Sequence, residues 1–422
     1  MSFDTAVSGI KASSTNLEII GSNIANAGTT GYKSSRGEFS DVFSSSLVGT
    51  AANAIGKGVA VAGVSQAFTQ GNVSFTSNVL DMAINGGGFF VLNEGGTNVY
   101  SRAGNFQTDR SGFVVNPEGL KLQVFATTSD GVLSGGITDL KIDSSLIQPT
   151  ATNRVDLSAN LDSRSTVPPV AWPGAGFDAF ATPPTAPSSD MFNASTAVTI
   201  YDSLGNPHSQ SMYFVKTANP NEWDVYSLID GVSTSGPDTV TFDSSGQIPA
   251  ASLPFEASIA AWDPLDSTGA TLGANTETIT ISLSNLTQFG NDFSVANMEQ
   301  DGFTTGQLGG VEVGDSGIVF GRFTNGQSRA LGQIALATFS NVSGLQPQGG
   351  SLWSESFSSG QAVLASPGTS GTGVVESGAL EDSNVDISQE LVNMIVAQRN
   401  FQANAKMIQT EDTITQAIIN LR

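Results

Sequence analysis

Residues 3–33 read FDTAVSGIKASSTNLEIIGSNIANAGTTGYK, and the spacing of their apolar side chains decides the class of fold. Phe3, Val7, Ile10, Ser14, Leu17, Gly21 and Ile24 alternate four and three residues apart. That is a heptad seam with two small residues in it, and it predicts an amphipathic helix built to pair. Ser2 is placed to cap the first turn, Asp4 to complement the helix dipole, and Asn26-Ala27-Gly28 to stop the helix. The other end of the chain repeats the pattern. In residues 387–408, ISQELVNMIVAQRNFQANAKMI, the seam holds Ile387, Leu391, Met394, Phe401, Ala405 and Ile408, with Gln398 in the gap. Asp386 and Gln389 have capping-box spacing. The seam fails at Asp412, and Ile414, Ile418 and Leu421 continue on a shifted face. Ile395, Val396 and Ile419 lie off the first seam. A helix with more than one apolar face requires several neighbours.

The small residues sharpen this. Ala6, Ser8, Gly9, Ala12, Ser13, Ser14, Gly21, Ala25 and Ala27 let another helix come close. Each buries little apolar area, and at on the order of 25 cal/mol per Å² an isolated pair is marginal. Assembly with copies of the same chain is the expectation; packing of the two helices within one molecule is the plainer alternative.

Between the ends the texture is that of sheet. Short β-branched and aromatic runs alternate with Gly, Asn and Asp turns, as in Gly88-Phe89-Phe90-Val91-Leu92 and Leu120-Lys121-Leu122-Gln123-Val124-Phe125. Thr276 to Leu283 alternates cleanly, with Ile279, Ile281 and Leu283 on one face. These patterns predict antiparallel sandwich or barrel strands. Seven of the 16 prolines fall between 149 and 190, which marks an irregular lead into a further β-domain starting near Ala197-Val198-Thr199-Ile200-Tyr201. The layout is nested and mainly β. Residues 1–28 with 386–422 form a terminal helical core, in which the two helices pair as a coiled coil. Residues 29–70 with 371–385 are a connector, 71–145 with 285–370 an inner β-domain, and 146–284 an inserted outer β-domain.

Composition narrows function. The 422 residues carry a formal net charge of -22, only 13% are charged, and there is one His and no Cys. Lys and Arg are too few for a nucleic-acid surface. Thiol chemistry and thiolate metal sites are excluded, and a His-rich metal site nearly so. No run approaches the length of a membrane helix, and the N-terminus lacks the pattern of a cleaved signal peptide, so neither membrane insertion nor cleaved secretion is expected. The first 70 residues balance to zero and residues 371–422 sum to -4, which leaves 18 of the 22 excess negative charges in the middle. The ends are composed for contact and the middle for solvent.

Other candidate sites are weak. Ala51 to Gly58 looks superficially like a phosphate loop, but Ala51 replaces its first Gly and Gly58 stands where Ser or Thr should bind Mg²⁺. It reads as a connector. Asp109 to Gly112, Asp243 to Gly246 and Asp266 to Gly269 lack the carboxylates of a Ca²⁺ loop and read as hairpin turns. His208 follows Asn206-Pro207 and reads as a satisfied surface residue. Phe89, Phe90 and Phe125 belong to β-cores. No catalytic, metal-binding or cofactor-binding residue stands out.

A resemblance adds to this reading. Ile20 to Lys33, with Asn23, Asn26, Gly31 and Tyr32 at its heart, resembles the N-terminal signature of bacterial flagellar axial proteins, the rod, hook and hook-associated subunits. Gly28 stands where that signature usually has Asn. Glu390 to Lys406 resembles the matching C-terminal signature, with Phe401 where Tyr is commoner. Asp81 to Phe90 and Tyr100 to Phe106 resemble a β-region shared by hook and distal rod subunits. Val198 to His208 resembles an insertion found in hook subunits and absent from the shorter rod subunits. The resemblance implies a helical homopolymer: a curved hollow tube with terminal helices as its core and β-domains outside, acting as a universal joint between rod and filament. It implies Phe3, Val7, Ile10, Leu17 and Ile24, with Leu391, Met394, Ile395, Gln398, Phe401, Ile408, Ile414 and Ile418, as the polymerisation core. It implies export without cleavage by the flagellar type III apparatus to an extracellular hook on the basal body. Implied partners are further copies, the distal rod protein, the hook–filament junction protein and the hook cap protein, with no cofactor. The competing readings are a distal rod subunit, a secreted adhesive or carbohydrate-binding β-protein, and a glycosidase, for which no carboxylate pair is singled out.

Overall fold

A computed structural model describes residues 3–42, 56–128, 133–174 and 176–420. Ser2, Leu421 and most of the Ala51–Gly58 stretch lie outside the described residues. The chain divides into two units: Met1–Ser144 with Gly309–Arg322 and Ser328–Arg422, and Ser145–Leu308 with Phe323–Gln327.

The first unit holds both helices, α1 (Phe3–Ala25) and α2 (Ile387–Asn420). α1 ends at Asn26, whose backbone N–H and side-chain Nδ2 both donate to the Ser22 carbonyl, at 3.1 and 2.9 Å. α2 starts at Asp386, whose Oδ1 accepts from the N–H groups of Ser388 (2.8 Å) and Gln389 (3.2 Å). Gln389 does not close a capping box; its side chain donates to Asn393 instead. The helices run antiparallel, with Asn23 beside Glu390 and Gly9 against Asn404. At ~1.5 Å per residue α1 is about 34 Å long and α2 about 51 Å, so the end of α2 outruns its partner.

Beyond α1 the strands Ser35–Asp41 and Val59–Gln66 form a two-stranded antiparallel ribbon. Most of the rest of the unit is a large sheet whose centre is Phe89–Glu94 and Thr97–Ser101, paired antiparallel, with two further antiparallel pairs, Met82–Asn85 with Val374–Ser377 and Val73–Phe75 with Ala379–Glu381. Its core is aromatic. Phe89 packs edge-on against Phe68, Phe339 and Trp353, with centroids 5.6 to 5.8 Å apart. Phe90 lies on the other face, edge-on to Phe106 at 5.3 Å. Phe125 is partly buried against the first of these clusters.

The second unit is a sandwich of two sheets. One is the meander Ala194–Tyr201, Pro207–Lys216, Glu222–Ile229, Val232–Thr241. The other is centred on Arg154–Asp162. One continuous core joins them, with Trp223, Phe214, Ile200, Ile279 and Leu157 all buried. The second sheet is mixed, which departs from an all-antiparallel expectation: Arg154–Asp162 pairs in parallel with Glu277–Ser282 and Thr287–Phe289. The long excursion through the first sheet supplies the crossover that parallel pairing needs. Those two strands and Ser294–Gln300 all pair with Arg154–Asp162, so the insertion returns near Leu308 rather than at residue 284. The Pro-rich segment is anchored here, with Trp172 stacked on Tyr226 at 4.4 Å and Phe177 buried.

The Asp–Gly turns take hairpin form. Asp243 Oδ1 accepts from the N–H groups of Ser245 and Gln247, and Asp266 Oδ1 from those of Thr268 and Ala270. The Ser245 and Thr268 hydroxyls lead in holding these two carboxyls below the usual range.

His208 is buried, not at the surface as its turn suggested. Its strand alternates, and His208 shares the inward face with Met212 and Phe214. Nδ1 meets Asp230 Oδ2 at 2.6 Å, and Nε2 lies 3.6 Å from Asp202 Oδ2. Burial pushes the imidazole pKa down, but the hydrogen bond and charge of Asp230, with Asp202 behind them, prevail and leave it raised above 6.5. A folded-state pKa above the unfolded one gives stability that is complete below about pH 6.5 and fades as pH rises through the raised value. The melting-temperature difference between the wild-type chain and His208→Gln should therefore be larger at pH 5.5 than at pH 9. Calorimetry across that range checks it; a pH-independent difference would remove the charged imidazole from the account.

Candidate functional site

Two features of the first unit bear on what the chain does: the contact between α1 and α2, and the polar cluster that fixes it to the sheet. Close approach of two helices places the smallest side chains between the axes. Fully buried on α1 are Ala6, Ala12, Ser13, Ile20 and Asn23. A Cβ added to Gly9 would sit 2.7 Å from Asn404 Oδ1. The line at the helix contact is thus one residue earlier than the heptad seam, with Ala6, Ser13 and Ile20 where the seam has Val7, Ser14 and Gly21. Val7, Ile10, Leu17 and Ile24 flank it half-buried, and Phe3 is exposed.

Among the described side chains of α2 only Ala397 is fully buried, with Glu390 and Asn404 half-buried on the same heptad line. Met394 and Ile408 are half-buried. Leu391, Ile395, Gln398, Phe401 and Ile414 are exposed, as are Ile387, Val392, Val396 and Ile419. The Ile418 side chain is outside the described residues. The helix pair therefore brings small residues together and leaves most of the large apolar ones uncovered. About half the surface of each of Leu391, Val392, Ile395 and Val396 faces solvent, two turns of one helix without a cover.

The signature residues act differently, as a joint. Asn23 is 1% exposed and uses its whole amide. Its Oδ1 accepts from Ser35 N (2.8 Å) and Tyr32 Oη (3.2 Å), and its Nδ2 donates to Ser35 O (2.8 Å) and Glu390 Oε1 (3.3 Å). One side chain so links α1, the following turn, the first strand and α2. Asn26 Oδ1 accepts from the Thr29 hydroxyl at 3.3 Å. Gly31 has a φ of 68° and lies so close to the sheet that a Cβ there would be 2.4 Å from Ala103 N. Both facts require glycine.

Beneath that turn lies an ion triad that the sequence reading did not single out. Glu381 is wholly buried. Its Oε1 accepts from Lys33 Nζ (2.5 Å) and Gly71 N (2.9 Å), and its Oε2 from Arg102 Nη1 (3.1 Å). Lys33 Nζ also donates to Thr69 O at 2.8 Å, and Arg102 Nη2 to Gly86 O at 2.8 Å. Burial lowers the pKa of both cations, and Glu381 opposes it in each case. Asn384 adds a second tie, accepting from Ser34 N and donating to Ala67 O, both at 2.7 Å. Glu381 was legible in principle: it is the one charge in the alternating run Gly378-Ala379-Leu380-Glu381 at a position where the strand turns inward.

Removing the anion leaves two buried cations facing each other. Breaking a buried pair in this way costs about 3–5 kcal/mol. Glu381→Gln should lower the urea-unfolding free energy of the first unit by that amount, with the second unit as internal reference; a loss below ~1 kcal/mol would deny the triad its structural role.

Comparison with known proteins gives this geometry its context. Four family models match along the chain: flagella basal body rod protein over residues 3–33, the flagellar hook protein FlgE/F/G D1 domain over 83–156, the flagellar basal body protein FlaE D2 domain over 160–303, and the flagellar basal body rod FlgEFG protein C-terminal region over 376–421. The chain is 38% identical over 430 residues to the flagellar hook protein FlgE of Escherichia coli, covering 100% of both. It is 33% identical over 458 residues to that of Borreliella burgdorferi, covering 99% of this chain and 98% of the relative. Among solved structures, the Helicobacter pylori flagellar hook protein FlgE2 shares the fold at a TM-score of 0.51 and 17% identity, over 73% of this chain and 100% of the other. The signature turn, the triad beneath it and both β-units thus lie in a chain matched from end to end, and it belongs to the flagellar hook protein family.

Proposed function

We propose that the chain is the structural subunit of a flagellar hook, polymerising through its terminal helices into a curved hollow tube that transmits torque from rod to filament. The observation that carries this is the uncovered apolar surface of α2. Leu391, Val392, Ile395 and Val396, each half-exposed on an ordered helix, would cost the monomer about 0.7–1.5 kcal/mol apiece in unrealised burial, half the value for a whole side chain. Neighbouring copies in a helical array cover such a surface; a lone adhesive or carbohydrate-binding domain has no use for it. Phe3, Val7, Ile10, Leu17 and Ile24 on α1, with Leu391, Met394, Ile395, Gln398, Phe401, Ile408, Ile414 and Ile418 on α2, are the side chains assigned to that core.

The second unit suits a different duty. Residues 145–308 carry 17 acidic residues and three basic ones. Copies bearing such a charge repel one another and are well solvated, so contacts between them are weak and replaceable. A joint that bends needs that combination: a core that holds and a periphery that slips. The distal rod protein, the hook–filament junction protein and the cap protein are the further partners of this reading. Export is uncleaved through the flagellar type III apparatus, the location is the extracellular hook, and the role is structural, without catalysis or cofactor.

The double substitution Leu391→Asp with Ile395→Asp tests the core. Both side chains are half-exposed in the monomer, so its melting temperature should change by less than about 4 °C, while electron microscopy should show no tubes. Normal tubes from that variant would refute assembly through α2. In cells, deletion of the gene should abolish external filaments; normal swimming without a second copy would return the question to the adhesive reading.

A further inference from the structure

Phe357 is the most exposed large hydrophobic side chain among the described residues, at 105% of its reference area. It stands in the loop between the strands Leu352–Ser354 and Val363–Ala365. Exposure of this degree usually goes with a fraying segment, but this loop is tied on both sides of the ring. Ser356 Oγ donates to Gly344 O at 2.6 Å and accepts from Ser358 N at 3.0 Å. Ser359, wholly buried, accepts from Ser356 N through its hydroxyl at 2.8 Å. Asn341 Nδ2 donates to Ser358 O at 3.1 Å. The loop lies backbone to backbone on its neighbour, since a Cβ at Gly344 would be 2.5 Å from the Ser358 carbonyl carbon. The ring is therefore held out on a fixed support.

An aromatic presented this way has its backbone ordering settled before any contact forms, which is what a binding anchor requires. The charge pattern says what it contacts. Two copies of a chain of net charge -22 repel, so contact between them favours uncharged ground. From Ser351 to Ala365 the only charge is Glu355, and its carboxylate is engaged, accepting from Tyr100 Oη at 3.5 Å and Ala362 N at 3.3 Å. A basic partner would be met by acids along the loop; the residues on either side of Phe357 in sequence, Ser356, Ser358 and Ser359, are serines.

We propose that Phe357 anchors a contact between copies, its ring entering an apolar socket on a second copy of this chain. This rests on the polymer reading and extends it to a residue outside the terminal helices. Sedimentation of the purified full chain, with and without the substitution, gives the critical concentration for tube formation. Phe357→Ser should raise it at least about tenfold, and Phe357→Leu by no more than about threefold, with the melting temperature unchanged in both. Because the chain has no Cys, Phe357→Cys can be labelled there alone with a benzophenone maleimide. Mixed with wild-type copies and irradiated, the label should crosslink two copies in tubes and none in monomer. An unchanged critical concentration in Phe357→Ser, or a label in isolated hooks that crosslinks only a different protein, overturns the proposal while leaving the polymer reading intact. Failure of the wild-type chain to form tubes overturns both.

Discussion

The buried triad of Lys33, Glu381 and Arg102 is the constraint on which the rest of the first unit depends. It joins three stretches far apart in sequence: the turn after α1, the sheet, and the lead into α2. Two cations share one carboxylate, so each member is costly if its partners are absent. Buried ions contribute little net stability over apolar substitutes, but a broken set is penalised heavily. The consequence is specificity. The N- and C-terminal segments are held in one register against the sheet, and α1 and α2 start from it side by side. Asn23 then transfers that register from the turn to the helices, since its amide meets both Ser35 and Glu390.

Given fixed exits, the helix pair need not be strong. Ala6, Gly9, Ser13 and Ala397 bring the axes close and bury little area. Ile20 is buried on this line, and the other larger apolar residues flank it half-buried or exposed in the monomer. A conventional two-helix coiled coil reverses that arrangement, placing the large residues inside. The terminal helices are thus aligned by polar contacts at their base and left apolar on their flanks, which favours completion by neighbours over self-sufficiency.

The sequence revealed most of this at the level of pattern. Period 3.6 at both ends and short alternating runs between them led to helices outside and sheet inside, because those patterns come from burial, which acts locally along each element. Register between elements was less accessible. The seam Val7, Ile10, Leu17, Ile24 is the most apolar line on α1, yet the line against α2 is its smaller neighbour, because helix contact selects for size as well as polarity. The end of the insertion has no local mark, because Thr287–Phe289 and Ser294–Gln300 are placed in it by their pairing with Arg154–Asp162. The turn before His208 predicts a surface position, whereas strand alternation sends it inward to two carboxylates. The only local mark of Glu381 is its inward place in the run Gly378-Ala379-Leu380-Glu381, which is faint in a chain with 38 acidic residues.

These differences between pattern and structure share a cause that also bears on function. Local pattern reports what an element hides from water; it does not report which other element, or which other copy, does the hiding. Leu391 and Ile395 belong to a seam and are nonetheless uncovered here. Phe357 belongs to no seam and is held fully in solvent by a loop fixed on both sides. An apolar residue that is patterned or rigidly presented, and still exposed, marks burial that the single chain leaves incomplete. In the first unit such residues include those of α2 and Phe357, while the acidic second unit carries most of the charge that opposes association. An ordered apolar helix surface in one unit and a strong net negative charge on the other favour a subunit that joins firmly at one place and yields at another.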